Sequence, residues 1–446
     1  MFRNQSIETM PRAELEQLQS QRLSALAARV YAKVPFYKQK FDELGLEPET
    51  IKDVRDLTRL PFTRKTDLRD TYPFGLFAVP QHEVIRLHAS SGTTGKPTLV
   101  GYTRDDLQMW AEVCARCLAL AGARPGDVFQ NAYGYGLFTG GLGMHYGAEA
   151  LGLTVIPMSG GNTSRQIMFM QDLGTQVLAC TPSYALALAD ALLEHGVDHA
   201  RLKLRTLLLG AEPWTDGMRH EIENKLQADA VNVYGLSEII GPGVSTEAVE
   251  EKNGSYIAED HFLPEVIDPN TGERLPDGQV GELVFTTLTK QAFPLIRYRT
   301  GDLASLTHEP GVHGRTHARH SRIIGRADDM LIIRGVNVFP SQIESALMGI
   351  PDISPHHQIV VTREGHLDVL EVQVEITEEF FHRVGEEMFR ASPIAGVTEV
   401  HQLQAMLNTR LHEALGLHLK ITLLPPGKAP RSEGGKLRRV VDKRVM

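Results

Sequence analysis

Five short β-rich runs recur through the middle of the sequence, separated by longer stretches that include helix-compatible segments such as residues 184–195. The runs cover residues 128–133, 153–158, 176–181, 206–210 and 230–234. This alternation predicts an α/β fold built on mixed or parallel sheets with flanking helices. Ligands bind such sheets beyond the carboxyl ends of the strands, so the loops that follow these runs are candidate site loops.

Two domains are expected, because a chain of 446 residues exceeds the roughly 250–300 residues at which single cores stop growing. Apolar residues at helical spacing predict an amphipathic helix over residues 13–30. A hairpin of residues 358–362 and 367–376, turning at Glu364 and Gly365, predicts a smaller α+β domain at the end of the chain. We place the boundary at Asp328, which gives domains of residues 1–327 and 328–446.

Charge and cysteine content narrow the class of partner. A net charge of −9 without a long basic run disfavours a nucleic-acid surface, and no stretch reaches the roughly 18 apolar residues of a membrane span. Three cysteines cannot form a disulfide framework, which favours the cytoplasm. Small-molecule partners are therefore expected; the oligomeric state stays open, with a homodimer as one option. Cys114 and Cys117, in a predicted helix over residues 105–121, and Cys180 are interpreted as buried structural cysteines rather than zinc ligands.

A loop of small, hydroxylated and basic residues follows one of the first apolar segments. Its members are Ser90, Ser91, Gly92, Thr93, Thr94, Gly95 and Lys96. Glycines let the backbone approach an anion closely, and the amide, hydroxyl and ammonium groups can donate to phosphate. It is not a Walker A loop, since Ser90 replaces the first glycine and Pro97 follows the lysine. The alternative reading is a solvated turn.

Four later segments add to this loop: residues 210–214 (GAEPW), 234–238 (YGLSE), 298–302 (YRTGD) and 325–335 (GRADDMLIIRG). In order and spacing the set resembles the adenylate-forming acyl-CoA synthetases, and more narrowly the phenylacetate-CoA ligases. Residues 7–36 and 335–344 are similar to the narrower family as well. The resemblance implies ATP-dependent activation of an aromatic carboxylic acid, with phenylacetate the best match, and transfer of the acyl group to coenzyme A. AMP and pyrophosphate would be released, with Mg²⁺ as cofactor.

The resemblance also assigns roles to single residues. Tyr234 would pack against adenine, Asp302 would accept from the ribose hydroxyls, Arg326 would donate to ribose or phosphate oxygens, and Glu238 would hold Mg²⁺. The residues implied for nucleotide binding are Ser90, Ser91, Gly92, Thr93, Thr94, Gly95, Lys96, Gly210, Ala211, Glu212, Pro213, Asn232, Tyr234, Gly235, Ser237, Asp302 and Arg326. Taken alone, an Asp or Glu on a loop is more often solvated or caps a helix.

Lys436 matches the catalytic lysine of the family, which would bridge the substrate carboxylate and the α-phosphate during adenylation. The alternative reading is a charged tail, since Arg438, Arg439 and two further cations follow. Asp328 resembles the hinge about which a small, mobile C-terminal domain rotates between the two half-reactions.

Residues 133–141 (YGYGLFTGG) place aromatic rings among glycines directly after a predicted strand. This composition suits a flat apolar ring. By resemblance Tyr133 and Phe138 would face the aryl group, with Gly210 and Gly235 also lining the acid site. The alternative is that the aromatics are ordinary core and only the glycines line the site.

Many phenylacetate-CoA ligases carry a structural zinc, whose ligand positions align here with Ala248, Tyr256, Gly311 and His313. Three of these four residues are not zinc ligands, so no structural zinc is expected. Two other functions stay open: adenylation with a different acceptor, such as a cofactor or carrier protein, and a non-catalytic nucleotide-binding regulator.

Overall fold

The computed structural model of the protein describes residues 1–90, 97–198, 201–327, 331–333, 336–364, 367–385, 398–431, 437 and 439–444. It consists of a large α/β N-terminal domain and a smaller α+β C-terminal domain, which confirms the predicted fold class. Asp328, the predicted boundary residue, lies outside the described residues.

The helices follow apolar periodicity and capping signals. The predicted N-terminal helix is α2, where Leu15, Leu23, Leu26 and Val30 form the buried face because residues three or four apart share one side of a helix. The helices are α1 (Gln5–Glu8), α2 (Arg12–Lys33), α3 (Pro35–Leu44), α4 (Lys65–Asp70), α5 (Arg104–Leu120), α6 (Thr139–Leu151), α7 (Thr163–Asp172), α8 (Pro182–Glu194), α9 (Asp216–Leu226), α10 (Pro340–Leu347), α11 (Glu378–Val384) and α12 (Thr398–Leu415). None of the helices among the described residues is long and apolar enough to cross a membrane.

The strands are β1 (Arg86–Ala89), β2 (Leu99–Tyr102), β3 (Val128–Asn131), β4 (Thr154–Ile156), β5 (Val177–Cys180), β6 (Thr206–Gly210), β7 (Asp229–Leu236), β8 (Gly241–Glu247), β9 (Ser255–Ile257), β10 (Phe262–Ile267), β11 (Gly281–Thr287), β12 (Tyr298–Ala304), β13 (Leu306–Thr307), β14 (Arg319–His320), β15 (Gly325–Arg326), β16 (Leu331–Ile333), β17 (Val336–Val338), β18 (Ile353–Glu364), β19 (Leu367–Ile376), β20 (Lys420–Leu424) and β21 (Val440–Asp442). Each of the five β-rich runs of the sequence overlaps one of the strands β3 to β7, so the predicted alternation is confirmed.

The main sheet has nine strands in the order β13-β14-β9-β8-β7-β6-β5-β3-β4. Strands β4, β3, β5, β6 and β7 run parallel, and the remaining pairings are antiparallel. The central strands are buried on both faces, as β5 and β6 illustrate, because helices cover parallel sheets on both sides. Parallel strands also bring the carboxyl ends of β6 and β7 to the same edge.

The chain also forms two four-stranded sheets. The antiparallel sheet β10-β11-β12-β15 belongs to the N-terminal domain, and the sheet β20-β19-β18-β21 forms the C-terminal domain with α10 and α12 packed in its core. Strand β21 pairs parallel with β18. The three cysteines are free and buried, which confirms their predicted burial.

Candidate functional site

The loops that follow β6 and β7 lie side by side because the two strands are adjacent and parallel. Their glycines permit close backbone contact. A Cβ on Gly210 would lie 2.1 Å from the carbonyl oxygen of Val233, and one on Gly235 would lie 1.9 Å from that of Gly241. Any larger residue would therefore force these backbones apart. The GAEPW and YGLSE segments thus meet at one edge of the sheet, as expected for a site at the strand ends.

Tyr234, Asp302 and Arg326 converge beside this edge from three strands. The Tyr234 hydroxyl donates to Asp302 Oδ2 at 2.6 Å, and Arg326 Nη1 donates to Asp302 Oδ1, also at 2.6 Å. Arg326 Nη2 donates in addition to the carbonyl oxygen of Thr300 at 3.1 Å. Burial raises the pKa of Tyr234 well above its ordinary value, so its hydroxyl stays a proton donor. The structure therefore brings together three residues that the sequence placed at a nucleotide.

Other predicted residues at this edge form contacts with their neighbours. Trp214 Nε1 donates to Asn232 Oδ1 at 2.9 Å, which fixes the orientation of the Asn232 amide. Ser237 Oγ lies 3.1 Å from Thr139 Oγ1, at the first residue of α6. This contact connects the YGLSE loop to the glycine-rich loop that precedes α6.

Lys290 lies behind Glu238 and was not predicted from the sequence. Its ammonium group donates to the carbonyl oxygen of Glu238 at 3.3 Å and lies 4.9 Å from the ring centroid of Tyr102. Lys290 is fully buried, and burial lowers its pKa to about 8. A buried cation at this position holds the backbone of the YGLSE loop in place. The only sequence signal was a lysine within a largely apolar segment.

Glu212 contacts both domains. Ala211, directly before it, has a φ of +73°, a left-handed conformation that turns the chain at the end of β6. Glu212 Oε1 accepts from the backbone N–H of Ser183 at 2.6 Å, in the first turn of α8, and Oε2 accepts from the backbone N–H of Leu437 at 3.3 Å. Pro213, the next residue, is exposed.

The predicted aryl-binding aromatics differ in their surroundings. Tyr133 is 3% exposed and packs in an apolar cluster with its hydroxyl 3.4 Å from the carbonyl oxygen of Leu208. Phe138 is half-buried at the edge of the same cluster. Asn131 ends β3 and donates to Tyr135 Oη and to the carbonyl oxygen of Gly141, so it holds the intervening loop in shape.

Several predicted residues lie outside the described part of the chain: Ser91, Gly92, Thr93, Thr94, Gly95, Lys96, Asp328 and Lys436. The first residue of the loop at residues 90–96 is described, as are the residues that follow the loop. Ser90 N–H donates to the carbonyl oxygen of Thr98 at 3.0 Å, and Ser90 Oγ accepts from the Thr98 N–H at 3.3 Å. The two ends of the loop are therefore held together.

Of the four residues aligned with zinc ligands, only His313 has a side chain that binds zinc. A Cβ on Gly311 would lie 1.6 Å from the phenol oxygen of Tyr256, and that hydroxyl donates to Glu251 Oε2 at 2.6 Å. Ala248 is buried and His313 is exposed. Among the residues that the structure describes, no group of three or more His, Cys, Asp or Glu side chains could hold a metal ion.

Comparison with known families and proteins gives consistent matches. The family model for the AMP-binding enzyme matches residues 17–289, and that for the AMP-binding enzyme C-terminal domain matches residues 335–444. The phenylacetate-coenzyme A ligase of Thermus thermophilus is 58% identical over 444 residues, covering 100% of both chains. That of Escherichia coli is 49% identical over 439 residues, covering 98% of this chain and 97% of the relative.

Among solved structures, 2-hydroxyisobutyryl-CoA ligase is similar over nearly the whole chain. In its postadenylation state, in complex with an acyl-AMP, it has a TM-score of 0.89 and 31% identity, covering 99% of this chain and 92% of that one. In its thioesterification state, in complex with 2-HIB-AMP and CoA, the TM-score is 0.71 at 32% identity, with 98% and 92% covered.

Proposed function

Because the chain belongs to the AMP-binding enzymes and, within them, to the phenylacetate-CoA ligases, we propose that it joins phenylacetate to coenzyme A through an acyl adenylate. The reaction consumes ATP and releases AMP and pyrophosphate. The observation that carries the assignment at the site is the convergence of Tyr234, Asp302 and Arg326 through hydrogen bonds of 2.6 Å. These residues are far apart in sequence and come from three different strands.

The chemistry explains why ATP is required. A carboxylate is a poor electrophile because its leaving group would be oxide. When a carboxylate oxygen attacks the α-phosphorus of ATP, the P–O bond to pyrophosphate breaks and the acyl group acquires AMP as a leaving group. The thiol sulfur of coenzyme A then attacks the acyl carbon and releases AMP. Such transfers are catalysed mainly by positioning and by charge stabilisation.

The described residues suit the nucleotide end of this reaction. Asp302 presents two carboxylate oxygens oriented by Tyr234 and Arg326, a geometry suited to the paired hydroxyls of a ribose. Glu238, 8% exposed at the end of β7, offers the hard oxygen ligand that Mg²⁺ prefers. Bound there, Mg²⁺ would supply charge neutralisation at the triphosphate. The position of Lys290 behind the Glu238 carbonyl supports this role, since it fixes the loop that carries the carboxylate.

The remaining roles form part of the same proposal. Lys436 is the catalytic lysine of adenylation, and Asp328 is the hinge between domains of residues 1–327 and 328–446. The phosphate loop, residues 90–96, holds the triphosphate, and Tyr133 and Phe138 contribute to the aryl pocket. We also propose that the enzyme is cytoplasmic. Its oligomeric state stays open, with a homodimer as one option, and size-exclusion chromatography with light scattering measures it directly.

Release of AMP in the presence of ATP, Mg²⁺ and coenzyme A tests the function. The substrate panel is phenylacetate, hydroxylated phenylacetates, benzoate, indoleacetate and hexanoate. We expect CoA-dependent AMP release that is greatest with phenylacetate or a ring-substituted phenylacetate. Adenylate formation without thioester would instead indicate another acceptor, and absence of pyrophosphate release with every acid would exclude the ligase function.

A further inference from the structure

The C-terminal domain contacts the large domain through a small polar cluster near the proposed nucleotide site. It consists of Glu212 and Ser183 in the N-terminal domain and Leu437 and Arg439 in the C-terminal domain. We refer to these four residues as the clasp. Arg439 Nη2 donates to Ser183 Oγ at 3.3 Å, and Leu437 N–H donates to Glu212 Oε2 at 3.3 Å.

From this geometry we propose that Glu212 and Arg439 are positioning residues that hold the C-terminal domain against the large domain during adenylation and release it for thioester formation. The inference rests on the proposed function, because it assigns the purpose of the contact to the reaction step that uses Lys436. The Leu437 N–H belongs to the peptide group that joins Leu437 to Lys436. A hydrogen bond to that group therefore restrains the backbone next to the lysine.

Glu212 is well held on the side of the large domain. Its Oε1 accepts from the Ser183 N–H at 2.6 Å, which is one of the N–H groups that lack a partner within α8. The neighbouring Tyr184 N–H is capped by Thr181 Oγ1. A carboxylate at a helix N-terminus is favoured further by the helix dipole. One oxygen of Glu212 thus fixes the side chain, and the other faces the C-terminal domain.

Arg439 connects the clasp to the interior of the C-terminal domain. Its guanidinium lies 3.7 Å from Glu344 Oε2 and 3.2 Å from His357 Nδ1. Glu344 is buried and reaches back to the large domain, where it accepts from Thr215 Oγ1 at 3.4 Å. Movement of the C-terminal domain would break the contacts to Ser183, Thr215 and Glu212 together, while the Arg439–Glu344 pair could move as a unit.

The two domains are arranged as in the adenylation half of the reaction rather than as in thioester formation. The chain is more similar to 2-hydroxyisobutyryl-CoA ligase in its postadenylation state than to the same enzyme in its thioesterification state. The clasp is therefore closed in an arrangement that accompanies a formed adenylate. Contacts that exist in only one of two domain arrangements shift the equilibrium between them by their own free energy.

The substitution Glu212→Gln tests this role with little change in shape. An amide has one acceptor oxygen where a carboxylate has two, so it can accept from Ser183 or from Leu437 but not from both. Loss of a charge-assisted hydrogen bond corresponds to about a tenfold or greater decrease in the adenylation rate constant. Ser183→Ala, which keeps the backbone N–H but removes the acceptor for Arg439, should give a smaller decrease in the same step.

The two half-reactions are measured separately on the full-length enzyme. Single-turnover pyrophosphate release from ATP and phenylacetate reports adenylation, and phenylacetyl-CoA formation from supplied phenylacetyl-AMP reports the second step. For Glu212→Gln we expect slower adenylation, and thioester formation at least as fast as in the wild type. We expect an unchanged KM for ATP, because the two carboxylate oxygens of Glu212 accept from Ser183 and Leu437; the nucleotide-binding role that the family resemblance implies would instead raise that KM. Glu221→Gln, the same chemical change on the neighbouring helix α9, is the control and should leave both steps unchanged.

Three results would contradict the proposed role of the clasp. They are equal loss in both half-reactions, a raised KM for ATP with an unchanged adenylation rate constant, and wild-type behaviour of Glu212→Gln. Failure of the proposed function is distinguishable from all of these, since the wild-type enzyme would then release no pyrophosphate.

Discussion

Replacing Tyr234 with phenylalanine removes a single oxygen atom from the proposed ribose site. That oxygen donates to Asp302 Oδ2 at 2.6 Å, while Arg326 keeps its own contact with Oδ1. The ring of Tyr234 packs between Phe285 and His320, and phenylalanine preserves this packing. The change therefore acts on the orientation of the Asp302 carboxylate.

The magnitude follows from the kind of hydrogen bond that is lost. A hydrogen bond to a charged group contributes about 1.5–3 kcal/mol. Because Arg326 still pairs with the carboxylate, we expect the lower end, a fall of about 1.5 kcal/mol in the free energy of unfolding. If the same hydrogen bond orients Asp302 for ribose, the KM for ATP rises by up to about tenfold. The turnover number should change little, since ribose contacts are made equally in the ground and transition states.

Urea denaturation measures the first quantity, and initial rates of pyrophosphate release at varied ATP measure the second. Tyr31→Phe is a matched control, because Tyr31 also donates to an aspartate, Asp42, at 2.9 Å, but in an exposed pair where such contacts contribute little. A Tyr234→Phe enzyme with wild-type stability and wild-type KM for ATP would refute the reasoning. A raised KM for phenylacetate alone would refute it as well.

Two further predictions concern stability and metal content. Burial lowers the pKa of His320 to about 4 in the folded state, whereas the ordinary value of about 6.5 applies in the unfolded state. As pH falls from about 6.5 to 4, the unfolded state therefore binds more protons at this residue than the folded state does. This difference alone lowers the free energy of unfolding by about 3 kcal/mol over that range. In His320→Gln, urea denaturation should show a smaller loss of stability over this pH range than in the wild type. A free energy of unfolding that depends on pH as steeply as in the wild type would contradict the assignment. Elemental analysis of the purified protein should find no stoichiometric zinc, because Tyr256 fills the space beside Gly311; one zinc per chain would overturn that prediction.

Much of the fold could be predicted because its signals are local. The alternation of β-rich runs with longer stretches identified strands β3 to β7, and the helix-compatible segment at residues 184–195 identified α8. The strand ends were less accurate. Residues 132 and 133 were predicted to belong to a strand, but β3 ends at Asn131. The Asn131 side chain donates to the Tyr135 hydroxyl and to the Gly141 carbonyl oxygen, and so directs the chain into a loop. That contact depends on the folded loop and has no periodic signature.

Some residues of the candidate site could be predicted from sequence motifs, and others could not. Tyr234, Asp302 and Arg326 lie in motifs whose order alone pointed to a nucleotide, and the structure brings their side chains together. Lys290, Ser183 and Arg439 were not assigned roles, because their contacts join residues 52 and 256 positions apart. Only tertiary packing creates such proximity. The sequence left open whether Tyr133 lines the aryl site or belongs to the core, and the structure buries it in an apolar cluster.

The proposed function depends most on the assignment of Lys436 to the first half-reaction. The direct measurement is the rate of each half-reaction in Lys436→Ala, assayed as pyrophosphate release from ATP and phenylacetate and as phenylacetyl-CoA formation from supplied phenylacetyl-AMP. We predict that adenylate formation is abolished while much of the second step remains, since the α-phosphorus becomes pentacoordinate, with the substrate carboxylate and the α-phosphate brought together, only in the first step. Equal loss in both half-reactions would contradict the account.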